Sequence, residues 1–115
     1  MLIKDNILAE KLTHTTRNTS ICVELSFELT NAKTFLKFVY IPDKYKIVQT
    51  SIPKYVQELL ESEKFDLENL SARIVEDLYD IAVPKHIEVT LTQEVHNIKT
   101  SITTNKAQPG VKLIK

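Results

Sequence analysis

The side-chain period changes twice along this chain, and those two changes leave few folds open. Residues 20–29, Ser-Ile-Cys-Val-Glu-Leu-Ser-Phe-Glu-Leu, alternate apolar and polar without a break. Period-two spacing places Ile21, Val23, Leu25, Phe27 and Leu29 on one face of a strand and Cys22, Glu24, Ser26 and Glu28 on the other. Thr30-Asn31-Ala32-Lys33 reads as a hairpin connection. A second strand follows from Thr34 to Ile41, rich in the Phe and Val that suit a pleated surface, and Pro42-Asp43-Lys44 closes it as a turn. The spacing then turns helical. Ser51 with Pro53 marks a helix start, because proline is welcome only in the first turn. That helix is expected to run to about Ser62 with Tyr55, Val56, Leu59 and Leu60 as its buried stripe. Asp66 caps a second helix, where Leu67, Leu70, Ile74, Leu78 and Ile81 recur at helical spacing until Pro84. Period two returns at Ile87, Val89 and Leu91, and a fourth, less regular strand is expected from His96 to Thr104.

Strand, strand, helix, helix, strand, strand predicts an α+β domain over residues 1–115: an antiparallel sheet with two helices on one face. Ahead of it, Ile3, Ile7, Leu8 and Leu12 suit a short strand or a helical turn, and Thr13 to Thr19, with His14, Arg17 and Asn18, reads as a polar loop. A sheet of this kind has open edges, which must be paired or covered. Subunits are therefore expected to join edge to edge into a homo-oligomeric closed barrel, with ligand pockets at subunit boundaries.

Charge narrows the partners. Fifteen basic residues balance fifteen acidic ones, so a nucleic-acid surface is not indicated and a small molecule or protein is the expected partner. No apolar run approaches the ~20 residues of a membrane helix, and the charged start is not that of a secretion signal. One cysteine forms no internal disulfide, which fits a cytoplasmic location. Gly110 is the only glycine, which excludes glycine-rich phosphate loops.

Two residues stand out chemically. Cys22 lies on the polar face of its strand beside Glu24 and Glu28, whereas most free cysteines are buried. A thiolate there is a candidate nucleophile, but the neighbouring carboxylates oppose its formation, so a cation or substrate contact has to compensate. Glu68 opens the second helix. An acid there complements the helix dipole, and it also suits bidentate recognition of the N–H and amino group of a guanine-like ring. His96 and Lys99 are lesser candidates bordering the expected pocket. No pair among His14, His86 and His96 has metal-ligand spacing, so no metal site is expected.

Thr19-Ser20-Ile21-Cys22, Tyr40-Ile41-Pro42-Asp43-Lys44, Glu68 and Pro84-Lys85-His86-Ile87-Glu88-Val89 together resemble the 7-cyano-7-deazaguanine reductase (QueF) family in order and spacing, over residues 19–104. The resemblance implies the tunnelling fold, which binds purines and pterins between subunits. It implies Cys22 as the nucleophile that forms a thioimide with the substrate nitrile, Glu68 as the anchor of the deazaguanine ring, and Glu28 as the loose substitute for the family's general-acid aspartate; His96 is a candidate substrate contact only through its place on the strand that borders the expected pocket. The chain departs from the family at Val23, where the reductases have proline, at Leu67, where they have histidine, and at Val48-Gln49-Thr50-Ser51, a reduced form of the NADPH segment. The Arg-Gly-Gly stretch is missing from Thr92 to Ile102. These departures weigh against NADPH as a cofactor. They bring the chain nearer to the short QueF-like proteins, which add ammonia to the nitrile held in tRNA to form archaeosine; tRNA thereby joins the deazapurine as an expected partner. Phe65-Asp66-Leu67-Glu68-Asn69-Leu70 also resembles the pterin-anchoring region of dihydroneopterin aldolase. A pterin aldolase or cyclohydrolase-like enzyme, or a non-catalytic purine- or pterin-binding subunit, is the alternative.

Overall fold

A computed structural model describes residues 2–13 and 19–110 of the chain. The polar-loop assignment of His14, Arg17 and Asn18 lies outside the described residues. The elements are β1 (Ala9–Lys11), β2 (Ile21–Leu29), β3 (Ala32–Ile41), β4 (Tyr45–Ile47), α1 (Ile52–Ser62), α2 (Leu67–Ala82), β5 (His86–Val95) and β6 (Ile98–Ala107). Four strands form one antiparallel sheet in the order β2-β3-β5-β6, and β1 pairs with β4 in a separate two-stranded ribbon. The α+β expectation, with an antiparallel sheet and two helices, is what the chain adopts.

Register explains how one face becomes the core. Ile21, Tyr40, Ile87 and Lys106 form one row across the sheet, Val23, Phe38, Val89 and Thr104 the next, and Leu25, Leu36, Leu91 and Ile102 a third. Against the central rows pack Tyr55, Val56 and Leu59 of α1 and Leu70, Ile74 and Leu78 of α2, all buried. The opposite face carries Cys22, Glu24, Ser26 and Glu28 on β2 and Lys99, Ser101, Thr103 and Asn105 on β6, all exposed. Direct cross-strand hydroxyl bonds, Thr90 to Thr103 at 3.1 Å and Thr92 to Ser101 at 3.0 Å, tie its middle.

The helices begin where their caps place them. The Asp66 carboxylate accepts from the Asn69 N–H at 2.7 Å, closing the first turn of α2. Pro53 lies in the first turn of α1. Buried polar groups lock the layers together. Ser71 of α2 and Thr104 of β6 share a hydroxyl hydrogen bond of 2.7 Å. The Tyr55 hydroxyl of α1 donates to Asp77 of α2 at 2.6 Å, and Arg73 Nε donates to the same carboxylate at 3.1 Å.

Two local expectations change. The first hairpin turns on two residues, Thr30 and Asn31, both at positive φ, so β3 starts at Ala32. The last strand starts at Ile98: His96 and Asn97, again both at positive φ, are the turn of the β5–β6 hairpin rather than strand residues. Paired positive φ is the two-residue hairpin geometry whose twist matches the flanking strands. Residues Ile3 to Asn6 form a 3-10 turn and Ala9 to Lys11 a strand, so both readings of the N-terminal segment hold, in succession.

Candidate functional site

β2 is an edge strand, and that fact defines the surroundings of Cys22. The strict alternation holds, so the thiol is exposed. Close to this strand the chain passes through a 3-10 turn at Gln49–Ser51 into α1. Cys22, Glu24, Gln49, Thr50 and Pro53 line a recess of about 330 Å³ at this edge. The Ser51 hydroxyl positions that turn: it accepts from the Leu8 N–H at 3.0 Å and donates to the Val48 carbonyl at 2.6 Å. The recess therefore offers a sulfur nucleophile, a carboxylate two residues away on the same strand face, and amide and hydroxyl groups.

Glu28 shares the face of Cys22 but stands six residues further along, about 20 Å at strand rise. It lines a separate concavity with Leu60, Glu63, Lys64 and Asp66. Glu24, not Glu28, is the acid beside the thiol within one copy. Glu68 is exposed in the first turn of α2, and α2 packs over β5 and β6, the opposite side of the sheet from β2. Three strand spacings, about 14 Å, separate the β2 and β6 edges. One copy thus holds Cys22 and Glu68 apart. His96 is exposed at the β5–β6 turn, at the end of the sheet away from the Cys22 row.

The polar face holds a second concavity of about 550 Å³, lined among others by Glu24, Phe35, Lys37, Thr90, Glu94 and Lys99. Phe35 is 48% exposed there, with the Lys33 ammonium 5.4 Å from its ring centre. Charges oppose each other across the strands, Glu24 to Lys37, Glu28 to Lys33 and Glu94 to Lys99. Among the described residues none of these pairs closes to an ion pair; the bridges that form are elsewhere, such as Lys106 to Glu76 at 2.6 Å. That hydrogen bond with Glu76 raises the Lys106 pKa above the ordinary lysine value. No group of three or more His, Cys, Asp or Glu residues suited to a metal ion occurs among the described residues. Among the same residues no helix is long and apolar enough to cross a membrane.

Gln49, Thr50 and Pro53 are the neighbours of Cys22 that local sequence patterns do not reveal. They lie more than 25 positions away, and only the alignment of Val48 to Ser51 with the reductases' NADPH segment draws attention to two of them.

No family model matches the chain, and no curated protein matches it. Among solved structures the chain is similar to the crystal structure of the archaeosine synthase QueF-Like in the apo form, with a TM-score of 0.58 and 11% sequence identity, over 76% of this chain and 90% of that one. At that identity the likeness establishes architecture: the chain has the QueF-like α+β tunnelling fold.

Proposed function

We propose that this QueF-like protein is an enzyme that acts on the nitrile of a 7-cyano-7-deazaguanine group through Cys22. The observation that carries the reading is an exposed thiol on the edge strand of a QueF-like sheet, opening into a recess, where an ordinary free cysteine is buried.

In this reading the Cys22 thiolate bonds to the nitrile carbon, one C≡N π bond opens, and the nitrogen takes a proton, giving a thioimide. A covalent intermediate replaces one hard step by two easier ones. Glu24 lies two residues along the strand and serves as proton donor and acceptor; Glu28 acts only if another copy brings it near. Glu68 accepts the ring N–H and amino group as a planar carboxylate pair of hydrogen bonds, and it too comes from a second copy. Ammonia, the co-reactant in archaeosine formation, then displaces the thiol and leaves an amidine. The archaeosine synthase likeness and the reduced NADPH segment favour this course over reduction.

Incubation with 7-cyano-7-deazaguanine should add the mass of that ligand to the wild-type protein and not to Cys22→Ala. Intact-mass spectrometry reads the result; an unmodified wild type overturns the reading.

A further inference from the structure

When a thiolate adds to a nitrile, negative charge collects on the nitrile nitrogen before a proton reaches it. A side chain that holds this nitrogen must donate a hydrogen bond, because an acceptor there sets lone pair against lone pair. The lining of the Cys22 recess narrows the choice. Val23, Leu25 and Pro53 are apolar, and an ionised Glu24 only accepts. Gln49 and Thr50 complete the lining. The Gln49 amide carries two N–H donors at the end of the longer side chain; the Thr50 hydroxyl offers one, close to its own backbone.

The chain fixes this turn and leaves the two side chains uncommitted. The Val48 N–H donates to the Leu8 carbonyl at 2.8 Å, and the Leu8 N–H donates back to the Ser51 hydroxyl at 3.0 Å. That hydroxyl and the Ser51 N–H both donate to the Val48 carbonyl, at 2.6 and 3.0 Å. Ser51 is buried, whereas Gln49 and Thr50 are exposed. Among the described residues the side-chain hydrogen bonds of the turn all belong to Ser51. The turn also borders a second concavity with Glu10 and Lys46, but those charges face each other at 3.6 Å. The Gln49 amide thus stands on a pinned backbone with no charged partner to hold it elsewhere. Electrostatic stabilisation asks for a donor that is in place before charge develops.

We propose that Gln49 is a catalytic residue of this site, its side-chain N–H donating to the nitrile nitrogen as Cys22 adds to the carbon. The inference rests on the proposed function for the identity of the electrophile. In the addition the S–H bond of Cys22 breaks and Glu24 takes the proton. The sulfur–carbon bond forms, one C≡N π bond opens, and Glu24 returns the proton to nitrogen. No oxidant or reductant enters. The hydrogen bond from Gln49 strengthens as charge grows on nitrogen, so it favours the addition over the bound nitrile. It gives no such help to alkylation of the same sulfur, in which no nitrile takes up charge.

That difference can be measured. Cys22 is the only cysteine, so a thiol reagent reports on it alone. Cyanopyrimidine, a heteroaryl nitrile without the deazaguanine ring, adds to thiols as a thioimide; iodoacetamide alkylates them. The ratio of the two rate constants cancels the fraction of thiolate. The wild-type ratio should exceed that of glutathione. Gln49→Leu should lower it by about five- to tenfold, the worth of one hydrogen bond. Gln49→Met, unbranched and of similar length, should do the same if packing is not the cause, and Thr50→Val should lower it less. A ratio unchanged in Gln49→Leu, a wild-type ratio no higher than that of glutathione, or a loss confined to Thr50→Val overturns the assignment. The wild-type mass adduct with 7-cyano-7-deazaguanine is read separately. An adduct there with an unchanged ratio in Gln49→Leu removes Gln49 and keeps the nitrile reading. A lowered ratio with no such adduct keeps Gln49 as a donor and removes that substrate.

Discussion

At the scale of single residues, the scarcity of glycine leaves its mark on the backbone. Positive φ falls on Thr30, Asn31, Val83, His96 and Asn97 as well as on Gly110. Val83 is a β-branched residue among them: it ends α2 in the left-handed region, φ 42° and ψ 56°, where glycine is the usual residue. A β-branched side chain there costs about 1–2 kcal/mol. Val83 is 42% exposed, so removing its side chain forfeits little packing. Val83→Gly should therefore raise stability by about 0.5–1 kcal/mol once the greater backbone freedom of unfolded glycine is subtracted. A urea titration reads this as a higher midpoint at unchanged slope; a lower midpoint contradicts the strain argument. The same scarcity hid the turns. His96 sits in a hairpin turn that carries none of the Asn-Gly or Asp-Gly signal by which such turns are recognised, so the reading of residues 96–104 ran the strand through it. Cys22 was legible for the opposite reason: nine residues of faultless alternation leave no choice of face.

Among elements, α1 and α2 were readable from Pro53, Asp66 and their apolar stripes, and their ends agree closely with those signals. The β1–β4 ribbon was not. Three residues a side are too short for a period, and the pairing joins positions 9–11 to 45–47. The contact between the helices was equally invisible. Tyr55 and Asp77 are 22 positions apart, and only the fold makes a buried hydrogen bond of them. Burial first, and then the hydrogen bond to Asp77, raise the Tyr55 pKa far above the usual tyrosine value. Burial also raises that of Tyr40, partly offset because its oxygen accepts from the Ile47 N–H. Both hydroxyls keep their protons in the folded chain at a pH where the unfolded chain loses them. Above about pH 10 the folded state thus binds more protons than the unfolded one, and stability falls as pH rises. Denaturation midpoints measured from pH 8 to pH 11 should decline above pH 10, and Tyr55→Phe should flatten the decline while lowering stability by about 1–2 kcal/mol at neutral pH. A midpoint indifferent to pH across that range contradicts the assignment.

On the scale of the whole molecule, the question is how a sheet whose outer strands, β2 and β6, have no further strand beside them among the described residues persists. The helices cover the central strands well: Leu36, Phe38 and Tyr40 on β3 and Ile87, Val89 and Leu91 on β5 are at most 1% exposed. The edge strands are different. Ile21, Val23, Leu25 and Phe27 on β2 and Ile102 on β6 are only half-buried although they lie on the core face. A single copy therefore leaves apolar area and two rows of backbone groups in water at the flanks of an otherwise closed core. Pairing of copies buries both, and the burial exists only in the folded state, because an unfolded chain has no edge to offer. Binding that favours the folded form alone stabilises it by mass action. The thermal midpoint should then rise with protein concentration: a hundredfold increase, well above the dissociation constant, adds about 2.7 kcal/mol per bound interface. For a chain of this length that is a shift of roughly 10 °C or more. Wild-type midpoints that coincide from micromolar to near-millimolar protein would mean that the half-buried flanks are tolerated by a lone copy, and that Cys22 and Glu68 stay as far apart in solution as they are within one protomer.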